Sequence, residues 1–245
     1  MKILNNKTTI LIVLTLCFSK FYSQEGEWIE VRDFESWTKV GVNLKLNKNW
    51  EFGLEEQLRL KNNSSEVDAY FTEINAKYKM KSGLYLGGGF RFIKENDNEG
   101  KIQGYETHLR YNFDLGYKHS VDRLKLGYRV RYQSKSETEA TAGLNGSPDN
   151  TLRFKVGGAY NIKGWKFDPK LSVEIFNRFA EGDEGGLSKF RATFGTSYDL
   201  KKWGELSAFY RIERELNPTY ADYPKTTHIA GLSYVYTFKI KTNEK

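Results

Sequence analysis

Basic side chains recur along this chain at alternate positions. Arg59, Arg91, Arg110, Arg129, Arg131, Arg153, Lys155, Arg178, Arg191 and Arg211 fall on the polar face of successive alternating segments. Acids share that face: Glu51, Glu55, Glu73, Glu106, Asp114, Glu174, Glu205 and Glu213. Two chemistries suit such a set. Matched pairwise, enclosed cations and carboxylates neutralise one another and stiffen a filled interior. Ranged as a ladder around an opening, the cations pass small anionic solutes, because rings of side-chain charge set pore selectivity. The near match of acids to bases favours the filled interior.

Other reactive residues are weaker candidates. His119, Ser120 and Asp122 supply the residue types of a hydrolytic triad, but they sit within one short stretch read as the tight turn 118–121. They cannot face one another from there as base, nucleophile and orienting acid. His108 shares the polar face with Glu106, a pair of types able to move a proton, although a lone enclosed histidine is more often one member of a hydrogen-bond network. His228 has no evident partner. Residues 95–106 approach a calcium-loop spacing, with Gly100 at the sixth position and Glu106 at the twelfth. Glu95 replaces the usual first aspartate, and strands flank the loop where helices are required. Gly87-Gly88-Gly89 and Gly157-Gly158 lie inside strand patterns, where glycine marks close backbone approach and not a phosphate loop. No catalytic residue, metal site or cofactor is expected. A lipid-modifying hydrolase remains an alternative by analogy of fold alone.

The elements that position these residues follow from periodicity. Val40, Val42, Leu44 and Leu46 alternate with Lys39, Gly41, Asn43 and Lys45, and Trp50, Phe52, Leu54, Leu58 and Leu60 alternate with Glu51, Gly53, Glu55, Gln57 and Arg59. Period two marks a strand with one apolar and one polar face. The pattern recurs to about residue 240 and predicts about eleven strands of roughly 11–15 residues, against about 5–6 in ordinary domains. Such strands suit a barrel crossing a bilayer. Short turns at 47–49, 81–82, 118–121, 163–164 and 201–202 alternate with longer loops at 62–66, 95–101, 135–150, 180–186 and 215–225. That asymmetry is the layout of a transmembrane antiparallel up-and-down barrel, turns periplasmic and loops outside. The turns carry lysines (Lys48, Lys81, Lys118, Lys163, Lys201, Lys202) and the loops carry most of the remaining acids. Tyrosines such as Tyr70, Tyr105, Tyr128, Tyr210 and Tyr234 fall on the apolar face, as an interfacial girdle requires. A soluble periplasmic β-sandwich or lipocalin-like binding barrel, the main rival, explains neither strand length nor rim asymmetry.

The N-terminus reads as an export signal: Lys2 and Lys7, then the apolar run 10–18, then Ser23-Gln24. Cys17 follows Leu16, which is too large for a lipoprotein site. The predicted organisation is a signal peptide over 1–23, an N-terminal segment or short first strand over 24–33, a barrel over 34–240 and a tail over 241–245. The net charge of +7 falls to about +4 without the signal, too little to suggest a nucleic-acid partner. Mean hydropathy is −0.65, an average over an apolar and a charged face.

The opening Trp37-Thr38-Lys39-Val40-Gly41-Val42 and Asn49-Trp50-Glu51-Phe52-Gly53-Leu54-Glu55-Glu56-Gln57-Leu58-Arg59 resemble the first hairpin of the domain-of-unknown-function family 2490 of Gram-negative outer-membrane barrels. Gly88-Gly89-Phe90-Arg91-Phe92, Arg110-Tyr111-Asn112-Phe113-Asp114-Leu115, Asp168-Pro169-Lys170-Leu171-Ser172-Val173-Glu174-Ile175-Phe176 and Gly231-Leu232-Ser233-Tyr234-Val235-Tyr236-Thr237-Phe238 resemble its later strands. The resemblance implies fold and compartment, the cell outer membrane, and carries no activity. The last strand is similar to the aromatic-rich signal that hands barrels to the assembly machinery. Outer-membrane lipids and lipopolysaccharide, the latter bridged to the acidic loops through divalent ions, are the other partners expected. Eleven strands close in parallel. A short strand over 26–32 makes twelve, and even numbers are the bacterial rule, so a barrel of about twelve strands is expected, with eleven the open alternative.

Overall fold

The computed structural model describes residues 31–98, 103–138, 148–180, 185–216 and 224–240. Eleven strands follow in chain order: β1 (Val31–Lys45), β2 (Trp50–Lys61), β3 (Glu66–Lys79), β4 (Leu84–Asp97), β5 (Gly104–Val121), β6 (Leu124–Glu137), β7 (Asp149–Tyr160), β8 (Asp168–Phe179), β9 (Gly186–Asp199), β10 (Glu205–Glu215) and β11 (Lys225–Lys239). Each pairs antiparallel with its sequence neighbour, and β1 then pairs with β11 to close the barrel. A single 3-10 turn, Lys201–Trp203, is the helical element among the described residues.

The closure decides the strand number for eleven, the alternative to twelve. β1 and β11 run parallel and stay in register over their whole lengths, from Val31↔Lys225 to Lys45↔Lys239. No gap remains in the wall for a twelfth strand. Arg32, at the end of the expected extra strand, belongs to β1 itself, and residues 26–30 lie outside the described residues.

The turns also differ in one place. Lys118 to Val121 continue β5, whose 18 residues make it the longest strand, and the reversal takes only Asp122 and Arg123. Asp122 adopts a φ of 52°, the left-handed conformation that two-residue hairpins need and that aspartate tolerates. At 47–49 the Asn47 side chain closes the turn, accepting from the backbone N–H groups of Asn49 and Trp50 at 2.8 Å each. At the opposite rim Asp33 accepts from the N–H groups of Asn62 and Asn63 at 3.2 and 3.0 Å, which fixes the β2–β3 loop to the start of β1.

The polarity of the wall is inverted relative to a soluble barrel. Ile74, Phe113, Leu171 and Phe194 lie outside and are each about 60% exposed, whereas Glu73, Arg91, Arg153 and Glu174 point inward and are buried. A lipocalin-like barrel has the opposite arrangement. At the turn rim the outer face carries aromatic contacts, Trp50 on Tyr78 at 5.0 Å and Phe167 on Tyr198 at 5.1 Å between centroids. Tyr70, Tyr105, Tyr128, Tyr210 and Tyr234 all project outward, as their parity requires. Glu56 is a charged exception, and the Thr72 hydroxyl donates to it at 2.6 Å.

Glycine has a specific role beside the seam. Gly231 on β11 stands between Trp37 and Phe209 in one inward-facing row. The Phe209 ring lies directly over it, so any added Cβ meets the ring. Gly231→Ala is expected to cost about 1–3 kcal/mol through overpacking. Replacing Phe209 with alanine in the same chain should recover much of that cost relative to Phe209→Ala alone. Urea unfolding in detergent micelles measures the cycle, and additive losses would show that the ring does not occupy the site.

Candidate functional site

Side-chain alternation sends the odd-numbered residues of β1 to β4, for example, and the even-numbered ones of β5 into the lumen. The guanidinium groups collected there meet two needs at once. Each charge requires a counter-charge, and each flat hydrophobic face requires cover.

Glu174 on β8 is the main hub. Its Oε1 lies 2.8 Å from Arg129 and 2.9 Å from Arg153, and its Oε2 lies 3.3 Å from Arg191. Arg153 also donates to Gln133 at 2.8 Å. Arg191 continues to Glu213 at 2.6 Å, which Lys189 approaches at 3.4 Å. Across the lumen Glu73 receives Arg91 at 2.6 Å and Arg110 at 3.3 Å. Asp114 and Arg131 form a bidentate pair at 2.6 and 2.7 Å, the strongest geometry available to these groups.

Aromatic rings support the guanidinium planes. Arg91 stacks 3.5 Å from the Phe71 centroid, Arg153 and Arg191 lie 4.4 and 4.7 Å from Phe176, and Arg59 and Arg211 lie 3.9 and 4.7 Å from Trp37. Such contacts are each worth about 0.5–2 kcal/mol when desolvated. These rings were not singled out from the sequence, although the signal was present in parity. Trp37 shares the parity of Lys39, Phe71 that of Glu73, Phe176 that of Glu174, and Phe209 that of Arg211.

The remaining expected residues separate by height. Glu55 pairs with Lys39 at 3.2 Å beside the main cluster. Glu51 pairs with Lys79 towards the turn rim, and Glu205 sits on that rim, half exposed, 3.7 Å from Lys170. Glu106 lies near the loop rim, 3.3 Å from His108, whose ring also lies 3.5 Å from Glu95. The overall match of acids to bases therefore does not hold at mid-height. A central cavity of about 980 Å³ is lined by thirteen lysine and arginine residues and seven aspartate and glutamate residues. Counting Asp114 and Glu213, which face Arg131 and Arg191, leaves nine acids against the thirteen bases. A second cavity of about 570 Å³ opens towards the turns. Arg129, Lys155, Phe209 and Arg211 line both.

The other candidates disperse. His119 stacks outside against Tyr117 and Tyr128 at 5.4 and 5.8 Å, and Ser120 projects to the opposite face of β5, so no triad assembles. His228 does have a partner, the Tyr210 hydroxyl at 2.7 Å. Residues 99–102 of the calcium-like stretch, half of the twelve acidic loop residues (Glu99, Glu139, Glu181, Asp183, Glu184 and Asp222), and 1–30 with Cys17 lie outside the described residues. Among the described residues no group of three or more His, Cys, Asp or Glu is placed to hold a metal ion.

Comparisons with known proteins return a family model described as protein of unknown function (DUF2490), matched over residues 34–223. No curated protein matches. Among solved structures, the crystal structure of the beta domain of the Bordetella autotransporter Brka is 13% identical, with 74% of this chain and 81% of that chain covered and a TM-score of 0.42.

Removing the hub acid tests how far the lumen depends on it. Glu174→Gln leaves three guanidinium groups short of charge and is expected to lower unfolding free energy by about 3–5 kcal/mol. Glu205→Gln, at the rim, should change it by less than about 1 kcal/mol. Urea titration of the folded protein in micelles compares them, and equal effects would contradict the hub.

Proposed function

The chain belongs to the DUF2490 family of proteins of unknown function, and from that footing we propose that it is an outer-membrane β-barrel forming a narrow passive path for small anions. The membrane reading rests on the inverted wall. The closed sheet leaves no unpaired strand edge, which is what a hydrocarbon surrounding demands of a β-structure. The outer face presents contiguous aliphatic and aromatic side chains with an aromatic rim, and a soluble protein does not expose a patch of that extent.

One observation carries the transport reading: the two lumenal cavities share Arg129, Lys155, Phe209 and Arg211 as common walls. A cationic neck between two water-accessible vestibules favours anions and repels cations, because fixed charge at a constriction sets selectivity. The lysines of the turn rim extend the same sign towards that mouth. A second reading, a purely structural or accessory barrel, draws on the ion pairs around Glu174 and Glu73, which fill much of the lumen.

Purified protein in a planar bilayer separates the two. Under a potassium chloride gradient the expected result is a small conductance whose reversal potential shows preference for chloride. No conductance, or preference for potassium, would overturn the channel reading and leave the structural one. Cell fractionation tests the compartment independently. The protein should sediment with the outer membrane and migrate faster on gels unboiled than boiled, whereas recovery in the soluble periplasmic fraction would refute the membrane reading.

A further inference from the structure

The larger cavity, which Arg59, Lys155 and Arg211 all line, is not uniformly neutralised. Among the described residues Arg59 on β2 has no carboxylate within 4.0 Å, and its buried Nε has no hydrogen-bond partner. Its contacts are the rings of Trp37 at 3.9 Å and Phe71 at 5.0 Å. The acids whose charge reaches it, Glu213, Asp68 and Glu35, all lie beyond ion-pair distance. Lys155 on β7 likewise has no acid within 4.0 Å, and Glu174, its main electrostatic neighbour, is engaged by three arginines. Arg211 stands between them on β10. It meets Glu213 only at 3.8 Å, donates to the Thr193 hydroxyl at 3.1 Å, and stacks on Trp37 and Phe209 at 4.7 and 4.6 Å.

We infer that Arg59, Arg211 and Lys155 form an oxyanion site in the lumen, which takes a carboxylate or phosphate group of a small solute. This inference rests on the channel reading for its role in transport, but the site itself does not require conduction. Arg59 and Arg211 sit on a common indole, and ring stacking occupies the guanidinium faces. It leaves the in-plane N–H edges to receive a ligand, the fork geometry that matches the two oxygens of a carboxylate or phosphate. Lys155 adds a point charge able to follow anions of different shape. Binding a carboxylate or phosphate there supplies counter-charge to three cations of one cavity that have too few acids of their own. Elsewhere in the lumen the guanidiniums already have such partners: Arg131 has Asp114, Arg91 has Glu73 and Arg153 has Glu174. The site is thus the part of the network where the cations lack a close carboxylate.

The experiment uses the full mature chain in detergent micelles and in planar bilayers, with inorganic phosphate and citrate as probes. Trp37 is the lumen-facing tryptophan among those described, since Trp50, Trp165 and Trp203 are exposed on the outside. Calorimetric titration in micelles, followed in parallel by tryptophan fluorescence, is expected to show saturable binding of at least one probe in the millimolar range or tighter. Affinity should fall at least tenfold in Arg59→Gln and in Lys155→Gln. Lys48→Gln on the turn rim should leave it unchanged. In the bilayer the bound probe should reduce chloride current in the wild type and fail to do so in the two lumen variants. Binding of phosphate alone or citrate alone assigns the oxyanion class. Binding lost in the lumen variants without any chloride current retains the site and rejects the channel. Chloride current with no binding of either probe, or binding unaffected by both lumen variants, overturns the site. Faster migration of the unboiled variants on gels confirms that they fold.

Discussion

A guanidinium enclosed by a β-barrel cannot be left to water as a surface one can, and this constraint organises the molecule. Nine arginines of the expected ladder point inward, and the fold answers with two devices. Carboxylates from neighbouring and facing strands bind the edges of most of them, as Glu174 binds Arg129, Arg153 and Arg191. Aromatic rings from the same wall cover their faces, as Phe176 covers Arg153 and Arg191. A carboxylate that serves three cations ties several strands together. The lumenal network therefore supplies cross-barrel cohesion, which in a soluble protein comes from an apolar core. Among the described residues the buried apolar cluster is small, Ala69, Phe71 and Ile93.

The parallel seam follows from strand count and in turn shapes the site. With an odd number of strands, each antiparallel to the one before, the first and last strands run in the same direction and close through slanted bonds that are somewhat weaker per residue. Here that pairing extends along all of both strands, from Val31↔Lys225 to Lys45↔Lys239. Trp37, Gly231 and Phe209 lie in one row across the seam. Glycine in the middle allows the flanking rings to approach, and Arg59 and Arg211 rest on those rings. Closure and the cationic neck are thus parts of one local solution.

Much of this was legible in the sequence, because period-two alternation depends on side-chain direction alone. All eleven strands read from the alternation exist, and Glu55, Asp114 and Glu174 face inward. The strand number was not legible. Parity sets which face a side chain takes but not how the ends of a sheet meet, and the even-number rule pointed the wrong way. The turn after β5 was displaced because Lys118 and Ser120 look like turn residues, whereas His119 stacks on Tyr117 and Tyr128 and extends the strand. The neck was hidden for a related reason. A count of acids against bases has no vertical coordinate, so Glu51, Glu106 and Glu205 were credited against arginines that lie at other heights. The aromatic shelves were visible in parity but masked by the habit of assigning large apolar residues to the outer face.

The central claim is that the barrel encloses a water-accessible interior of net positive charge. Single cysteines at Ser233, which lines the larger cavity, and Ser207, which lines the smaller, test it in a chain whose Cys17 is replaced by serine. Their rates of modification by anionic and cationic methanethiosulfonates of similar size are compared in lipid vesicles. The account predicts reaction at both positions, with the anionic reagent several-fold faster, and a difference that shrinks as salt screens the charge. Equal rates, a faster cationic reagent, or no reaction at either position would contradict it.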